Sequence, residues 1–239
     1  MNKTALITGG NSGIGYATAK LFKEKGYNVT ITGRNEKKVK SAASDLGVDY
    51  IVADLARFSD LKKISDNLIN SELDVLVNSA GIAHPKPIEM YSLEDFDDHM
   101  NVNLRASLFL THYLLPALEK TQGCIINISS IITRRSAPGF GIYTATKGAI
   151  EAFTRNSALE LAPKNIRVNA ICPGAIDTPM FDKFGMTDEQ AIEAKERTLA
   201  TIPLHRFGVP EEIAQVVLSQ VESTYVTGAI WNVDGGVDT

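Results

Sequence analysis

Short apolar runs alternate with longer amphipathic segments along the whole chain. The short runs are rich in Ile and Val and are bounded by Gly, Asn or Asp, which is typical of strands buried on both faces of a parallel sheet. They predict seven strands, at Thr4–Thr8, Asn28–Thr32, Asp49–Ala53, Leu73–Asn78, Gly123–Ser129, Ile166–Cys172 and Ala229–Val233. The longer segments carry apolar residues at helical spacing and predict helices, at about Gly13–Lys25, Asn35–Leu46, Phe58–Asn70, Ser92–Lys120, Tyr143–Leu161 and Glu211–Gln220.

This alternation predicts a Rossmann-type α/β fold, with a doubly wound, seven-stranded parallel sheet and helices on both faces. The chain has no Pro/Gly/Ser-rich linker and no internal repeat, so we expect a single domain over residues 1–239. Only residues 178–208 interrupt the pattern; they hold one predicted helix, Asp188–Leu199. We expect this segment to line a substrate site, because ligands gather at the carboxyl ends of strands in such sheets; an ordinary surface insertion is the alternative.

The composition narrows the class of protein. A length of 239 residues with 44% hydrophobic and 22% charged residues fits a globular domain with a sizeable core rather than a disordered chain. The net charge of −4 gives no general attraction to nucleic acid or to an anionic membrane. Cys124 and Cys172 form no disulfide framework and no metal knuckle, so we expect buried, reduced thiols. No apolar run approaches the ~18 residues of a membrane span, and we expect a cytoplasmic protein.

A glycine-rich loop follows the first predicted strand directly. It reads Thr8-Gly9-Gly10-Asn11-Ser12-Gly13-Ile14-Gly15, and helical periodicity begins within it. Such a loop lets backbone approach a pyrophosphate, while the helix N-terminus offers free N–H groups with partial positive charge. Its TGxxxGxG spacing differs from the GxGxxG of longer dinucleotide folds. The cluster is compatible with a plain turn, but its place between strand and helix favours a nucleotide site.

The end of the second predicted strand bears on which nucleotide binds. NAD sites usually place Asp or Glu there to bind the ribose 2′-hydroxyl, whereas this chain reads Thr32-Gly33-Arg34-Asn35. A guanidinium pairs with a 2′-phosphate that a carboxylate would repel. We therefore expect NADP(H) in preference to NAD(H). The alternative is that Arg34 is a solvated residue ahead of a helix cap at Asn35.

Tyr143 and Lys147 stand at i and i+4 of a predicted helix, so they project from one face. A nearby ammonium favours phenolate and so lowers the pKa of a tyrosine, as a general acid for carbonyl reduction requires. Tyr16 and Lys20 have the same spacing, but only Tyr143 follows a strand that ends in polar residues, Asn127-Ile128-Ser129-Ser130. A serine there could donate to a substrate carbonyl as charge develops on it. We expect the Tyr16 pair to be ordinary helix surface.

Taken together, these motifs resemble the short-chain dehydrogenase/reductase family, in the branch with TGxxxGxG and Ser…Tyr-x-x-x-Lys. The resemblance covers nearly the whole chain, and the motif set is similar throughout to that of the 3-oxoacyl carrier-protein reductases. The remaining family motifs occur in the expected order: Asp54, Asn78-Ser79-Ala80-Gly81, Asn103, Asn169-Ala170-Ile171-Cys172-Pro173-Gly174 through Thr178, Thr227-Gly228 and Asp234-Gly235-Gly236.

The resemblance implies a role for each matching residue. Tyr143 would be the catalytic acid/base, Lys147 would lower its pKa and hold the nicotinamide ribose, and Asn103 would anchor a water path to Lys147. Ser130, in preference to Ser129, would polarise the carbonyl. In the cofactor site, the glycine loop would contact the diphosphate, Asp54 the adenine, Asn78 the adenosine, and Ile176 and Thr178 the nicotinamide carboxamide. The full expected cofactor set is Gly9, Asn11, Ser12, Gly13, Ile14, Gly15, Arg34, Asp54, Leu55, Asn78, Ala80, Gly81, Tyr143, Lys147, Pro173, Gly174, Ile176 and Thr178.

Two residues depart from the family pattern. Ser79 stands where the family commonly has Asn, and Thr133 stands where it often has Gly, three residues after the proposed serine. Neither removes a proton-transfer group, but both would reshape the edge of the pocket. Arg134 and Arg135 follow on the same loop and are either surface charge or contacts for an anionic substrate. The four histidines show no paired-ligand spacing, so we expect no metal site.

These observations predict an NADPH-dependent oxidoreductase that reduces a ketone to a secondary alcohol, with Tyr143 as acid/base. A 3-oxoacyl thioester is one candidate substrate; a sugar, steroid or xenobiotic carbonyl is the alternative. A protein of another class, a dinucleotide-binding sensor without catalysis, is the remaining reading. A run of small residues on the helix of Tyr143 lets that helix approach another backbone closely, at Ala145, Gly148, Ala149 and Ala152. Family members commonly pair such helices, so we expect a homo-oligomer, a dimer of dimers; packing on the chain's own sheet is the alternative.

Overall fold

The computed structural model describes residues 2–181, 184–185 and 187–239, and its strands form a parallel, seven-stranded sheet. The strand order is β3-β2-β1-β4-β5-β6-β7. The strands are β1 (Thr4–Ile7), β2 (Asn28–Gly33), β3 (Asp49–Val52), β4 (Val75–Asn78), β5 (Cys124–Ile128), β6 (Arg167–Pro173) and β7 (Ile230–Val233). Each lies within about two residues of its predicted bounds, and the predicted doubly wound α/β fold is confirmed.

Eight α-helices connect these strands in the described part of the chain. They are α1 (Gly13–Glu24), α2 (Glu36–Leu46), α3 (Phe58–Leu68), α4 (Leu93–His99), α5 (Ala106–Thr121), α6 (Gly141–Leu161), α7 (Asp188–Ala200) and α8 (Pro210–Glu222). Helix α7 confirms the helix predicted within residues 178–208, and a Thr187–Gln190 capping box begins it. Residues 182, 183 and 186 of that segment lie outside the described residues. No helix in the described ranges is both long and apolar enough to cross a bilayer.

The continuous helix predicted over Ser92–Lys120 is wrong in detail. Helix α4 ends at His99, and the backbone is π-helical over Met100–Arg105 before α5 begins. Asn103 lies in this π turn and is buried. Short π-helical turns are rare, so a prediction of a plain α-helix passes over them; they often occur at functional sites.

The sheet is buried on both faces because consecutive strand residues point to opposite sides. On one face Ile7 of β1 packs with Phe22 of α1 and Val217 of α8. On the other face Leu6 packs with Leu61 of α3 and Leu110 of α5. Both cysteines are free and buried, as expected. The helices that cover the sheet leave its carboxyl edge open to the loops that carry the sequence motifs.

Candidate functional site

The predicted site residues gather at the carboxyl edge of the sheet. The glycine loop follows β1, and Arg34 follows β2. Asp54 and Leu55 follow β3, and Asn78 to Gly81 lie at or just after the end of β4. Ser130 follows β5, and Pro173, Gly174, Ile176 and Thr178 lie at or after the end of β6. The strand order reverses between β1 and β4, since β1 pairs with both β2 and β4. Ligands of doubly wound sheets bind at such a switch point.

The glycines of the loop after β1 are required by close packing. Gly9 and Gly13 have positive φ angles of 67° and 54°, which favour glycine. A Cβ at Gly9 would lie 2.9 Å from the Cα of Ala80, so the loop packs directly on the end of β4. A Cβ at Gly13 would lie 3.3 Å from Cγ2 of Thr178, which places the segment after β6 against the same loop.

The N-terminus of α1 suits a phosphate group. Its N-cap residue, Ser12, makes no side-chain capping hydrogen bond, and the first turn carries no acidic residue. By contrast, Asn35 caps α2 and Ser92 caps α4 through their side chains. The first N–H groups of α1 are therefore left for a ligand, and the helix dipole adds partial positive charge there. This uncapped end and the glycine packing fit the diphosphate of a dinucleotide.

Arg34 is exposed and follows β2 directly. Within the described part of the chain it makes no ion pair and no side-chain hydrogen bond. Asp54 is half-buried and accepts a hydrogen bond from the backbone N of Ala56 at 3.1 Å, which shapes the loop after β3. The adjacent Leu55 is buried. Arg34 and Asp54 therefore follow neighbouring strands on the β2–β3 side of the switch point.

The end of β4 is held by hydrogen bonds from distant residues. The Thr8 hydroxyl accepts hydrogen bonds from the backbone N atoms of Ser79 and Ala80, both at 3.0 Å. Asn78 donates through Nδ2 to Oδ1 of Asn127 at 2.9 Å, which ties β4 to β5. Asn78 Oδ1 is buried and has no partner in the described ranges. The structure therefore uses Asn78 to join two strands at the site.

Tyr143 and Lys147 lie together on α6, with Lys147 Nζ 5.7 Å from the centroid of the Tyr143 ring. Lys147 is buried and donates to the carbonyl O of Ile128 at 2.7 Å. Burial lowers the pKa of Lys147 to about 8. Burial raises the pKa of Tyr143 to about 12, while the Ser130 hydroxyl lowers it as a hydrogen-bonding neighbour. Tyr143 keeps some solvent exposure, so water limits the size of that rise.

Burial thus shifts the Tyr143 pKa in the direction opposite to the one that the sequence predicts for Lys147. In this structure the ammonium binds the Ile128 carbonyl, and desolvation of the phenol outweighs the other influences on it. Ser130 is the neighbour that acts in the expected direction.

Asn103 joins the loop after β4 to helix α6. Its Oδ1 accepts from the backbone N of Ile82 at 2.8 Å, and its Nδ2 donates to Ile82 O at 2.9 Å and to Thr146 Oγ1 at 3.2 Å. A Cβ at Gly81 would lie 3.4 Å from Asn103 Oδ1 and 3.6 Å from Lys147 Nζ. Gly81 therefore keeps open the space beside both side chains.

The structure distinguishes the two serines after β5. Ser129 is buried, and its hydroxyl donates to Oε1 of Glu151 at 3.0 Å. Ser130 is half-buried, accepts a hydrogen bond from the backbone N of Ile132 at 3.3 Å, and lies beside Tyr143. Of the two serines, Ser130 is thus the one that lies next to Tyr143. The sequence reasoning missed Glu151, although its i+4 spacing from Lys147 could have marked it.

The segment after β6 closes the other side of the site. Pro173 ends β6 and is buried, and the backbone N of Gly174 donates to Val233 O at 3.0 Å. A Cβ at Gly174 would lie 2.7 Å from the Cα of Asp234. Ile176 is buried and pairs with Gly208 in an isolated parallel bridge. These contacts fix the path by which the chain reaches Thr178 and the glycine loop.

Aromatic residues that the sequence reasoning missed lie next to Tyr143. The ring centroid of Phe140 is 6.2 Å from that of Tyr143 and 5.6 Å from that of Phe184. Phe181 continues the contact to Phe184 at 5.3 Å and to Phe207 at 5.7 Å. Three of these rings belong to the segment predicted to line a substrate site. They form an apolar wall, defined here as Phe140, Phe181, Phe184 and Phe207.

The other candidates have structural roles. The Tyr16 hydroxyl hydrogen-bonds the Asp45 carboxylate, which raises the Tyr16 pKa, and Lys20 is exposed. Arg134 pairs with Asp238 at 3.2 Å and donates to Asn232, so it ties the loop to the last residues. Across the described ranges, no group of three or more His, Cys, Asp or Glu residues is arranged to hold a metal ion.

Comparisons with known proteins agree with this arrangement. A family model described as "Enoyl-(Acyl carrier protein) reductase" matches residues 9–238. The chain is 39% identical to the 3-oxoacyl-[acyl-carrier-protein] reductase FabG of Thermotoga maritima, over 98% of this chain and 97% of that protein. It is 36% identical to carbonyl reductase family member 4 of Xenopus laevis, over 99% and 98% of the two chains.

Solved structures are similar over the same extent. A 3-ketoacyl-(acyl-carrier-protein) reductase from Brucella melitensis, complexed with NADH, superimposes with a TM-score of 0.91 at 30% identity, over 99% of this chain and 98% of that one. A short-chain dehydrogenase/reductase from Caenorhabditis elegans, solved with cofactor, gives a TM-score of 0.91 at 31% identity, over 99% and 95%. The likeness therefore covers nearly the whole length of the chain.

Proposed function

We propose that this chain, which belongs to the short-chain dehydrogenase/reductase family, reduces a ketone to a secondary alcohol with a nicotinamide dinucleotide. The observation that carries the proposal is the meeting of Ser130, Tyr143, Lys147 and Asn103 beside an uncapped helix N-terminus. Family membership makes the chain an oxidoreductase.

Each residue has a distinct part in the proposed reaction. The bound dinucleotide supplies the hydride that adds to the carbonyl carbon. Ser130 donates a hydrogen bond to the carbonyl oxygen, and the Tyr143 hydroxyl delivers the proton to that oxygen. Lys147, held by the Ile128 carbonyl, places its ammonium beside Tyr143 and the ribose position. Asn103 holds the loop that borders this space.

The remaining predicted residues serve the dinucleotide. In this proposal the backbone around Gly9 and the first N–H groups of α1 hold the diphosphate, and Asp54, which follows β3, binds the adenine. We favour NADP(H), because Arg34 is exposed after β2 where a 2′-phosphate would lie and no carboxylate stands there to repel it. Because the Brucella relative was solved with NADH, kcat/KM has to be measured with both NADPH and NADH.

For the substrate we propose a 3-oxoacyl thioester. The FabG relatives carry that activity in their names, and the apolar wall beside Tyr143 suits an acyl chain better than a polyhydroxylated sugar. The carbonyl reductase name of the Xenopus relative keeps other ketones as the second candidate.

The test is an NADPH-oxidation screen of the purified protein over 3-oxoacyl thioesters, 2-enoyl thioesters, sugars, diketones and quinones. We expect the highest kcat/KM with a 3-oxoacyl thioester. Tyr143→Phe should lower kcat by about 10²–10⁴-fold, the usual contribution of a general acid. Tyr16→Phe, the matched tyrosine of the other Tyr-x-x-x-Lys pair, should stay within about twofold of wild type.

Three outcomes would contradict the proposal. Near-wild-type turnover by Tyr143→Phe would exclude the mechanism. A preference for 2-enoyl thioesters would change the reaction to reduction of a carbon–carbon double bond. Tight NADPH binding without turnover of any carbonyl would favour a dinucleotide sensor.

We also propose that residues 1–239 act as a single domain within a homo-oligomer, a dimer of dimers. The small-residue face of α6 supports this assembly, since Ala145 and Ala152 are exposed and a Cβ at Gly148 would meet nothing within 4 Å in the described structure. These two alanines are therefore accessible to a second copy of the chain.

A further inference from the structure

A buried carboxylate lies behind the proposed catalytic residues. Glu151 is on α6, one turn after Lys147, and is 7% exposed. Its Oε1 accepts hydrogen bonds from the hydroxyls of Thr133 at 2.7 Å and Ser129 at 3.0 Å, and from the thiol of Cys172 at 3.2 Å. Its Oε2 is 4.0 Å from the guanidinium of Arg155, whose side chain is mostly exposed.

Two of these three donors flank Ser130 in the sequence. Ser129 precedes it, and Thr133 follows it at the end of a short 3₁₀ turn, Ile131–Thr133. Within that turn the backbone N of Thr133 donates to Ser130 O at 3.3 Å, and the Thr133 hydroxyl lies 3.0 Å from the same oxygen. The Glu151 carboxylate therefore binds the loop on both sides of Ser130.

The same carboxylate belongs to the helix that carries Tyr143 and Lys147. A helix holds its residues in fixed relation, so the hydrogen bonds to Glu151 link the Ser130 loop to α6. One oxygen, Oε1, thus accepts from donors on both sides of Ser130, Ser129 and Thr133. Lys147 Nζ bonds Ile128 O in the same stretch and provides a second link.

We propose that Glu151, acting with Thr133, is a positioning residue that holds the Ser130 hydroxyl against Tyr143. The inference rests on the proposed function, because it assigns Ser130 and Tyr143 to one reaction. The proposed anchor also assigns a role to Thr133, whose hydroxyl makes the shortest of the three hydrogen bonds to Glu151. A glycine at that position would leave the carboxylate without this donor.

The test compares two pairs of variants in the full-length protein. Glu151→Met removes both oxygens and keeps the length of the side chain, whereas Glu151→Gln keeps an acceptor. Thr133→Val removes the hydroxyl and keeps the shape, whereas Thr133→Ser keeps the hydroxyl. Glu160→Gln is the control, since Glu160 is exposed on α6 and bonds only Asn156 in the described structure.

We expect Glu151→Met and Thr133→Val each to lower kcat by about tenfold, because small displacements of a catalytic group are costly. The dissociation constant of NADPH should stay within about twofold, so that the loss is in turnover of bound enzyme. Thr133→Ser should restore kcat, and Glu160→Gln should leave it unchanged. The double variant Glu151→Met/Thr133→Val should be no slower than Glu151→Met alone, since the bond that Thr133→Val removes is already absent in Glu151→Met.

Amide hydrogen exchange over residues 129–133 provides a readout independent of turnover. Exchange there should accelerate in Glu151→Met and in Thr133→Val and stay as in wild type in Thr133→Ser. If wild type is active but both apolar variants keep kcat within twofold, or if their effects on kcat multiply in the double variant, the positioning role is refuted. If wild type reduces no ketone, the proposed function fails, and unchanged exchange would then refute the anchor separately.

Discussion

At the scale of single residues, identical sequence spacings have different chemical surroundings. Tyr16 and Tyr143 each precede a lysine by four residues, yet the Tyr16 hydroxyl binds Asp45 while Tyr143 lies beside Ser130. The pKa of each tyrosine is raised, by the Asp45 hydrogen bond for Tyr16 and by burial for Tyr143. Only Tyr143 has a neighbouring hydroxyl that lowers its pKa, that of Ser130, and a buried ammonium nearby, that of Lys147. Proton-transfer chemistry therefore depends on contacts that the spacing does not specify.

Arg34 gives the residue-scale prediction for the nucleotide. Arg34→Leu should lower kcat/KM for NADPH by about 10–100-fold, the usual worth of a charged hydrogen bond, and leave kcat/KM for NADH nearly unchanged. Lys40→Leu, which removes an exposed cation of α2, is the control and should change neither value. A wild-type preference for NADH of tenfold or more would overturn the NADP(H) assignment.

At the scale of elements, the glycine loop and helix α6 organise the site. The loop packs on the end of β4, and α6 carries Tyr143, Lys147 and Glu151 along one face. The π turn at Met100–Arg105 brings Asn103 into contact with α6 through Thr146. Each element thus contributes a fixed surface, and the site forms where these surfaces meet.

A comparison of Gly9→Ala with Gly26→Ala distinguishes the cost of a left-handed backbone conformation from the cost of close packing. Both have positive φ angles, 67° and 82°, but a Cβ at Gly26 would meet nothing within 4 Å in the described structure. Gly26→Ala should therefore cost only the left-handed strain, about 1–2 kcal/mol in the free energy of unfolding. Gly9→Ala should cost more and should also weaken NADPH binding by at least about tenfold, because the loop must shift. Urea unfolding and fluorescence titration measure the two effects; equal NADPH affinities for both variants would contradict the role given to the loop.

The exposed small residues of α6 give the prediction for assembly. Ala152→Arg should dissociate the proposed oligomer, since a long charged side chain would have to be buried in the helix pair. Light scattering after size-exclusion chromatography measures the mass. Ser41→Arg, an exposed position on α2, should leave the mass at the wild-type value. An unchanged mass for Ala152→Arg would place any interface elsewhere.

At the scale of the whole molecule, the buried site makes stability depend on pH. The folded state lowers the pKa of Lys147 from 10.5 to about 8. Between these values the unfolded chain binds a proton that the folded chain does not, so this group makes the free energy of unfolding rise with pH. The raised pKa of Tyr143 acts in the opposite direction above pH 10.

Comparison with Lys147→Met isolates this contribution, since Tyr143 is present in both proteins. We expect the unfolding free energy of wild type, relative to Lys147→Met, to rise by up to about 1.4 kcal/mol per pH unit above pH 8. Urea unfolding at successive pH values measures the difference. A difference that stays flat or falls with pH would show that Lys147 is not desolvated in the folded protein.

The sequence by itself determined the seven strands, the nucleotide loop and the candidate Tyr143–Lys147 pair. Strands buried on both faces read as short β-branched runs, and a strand–glycine–helix junction is a local pattern of adjacent residues. Arg34 could be placed for the same reason, because it directly follows β2. These features depend on neighbours within a few positions.

Only the tertiary structure decided which of these features act together. Ser129 is buried against Glu151, 22 residues away, whereas Ser130 is half-buried and lies beside Tyr143. The apolar wall joins Phe140 to rings more than 40 residues later, and Asn103 reaches Thr146 across 43 positions. No local pattern encodes such contacts, because parallel strands bring distant segments to one edge and burial then sets which hydrogen bonds each polar group must make.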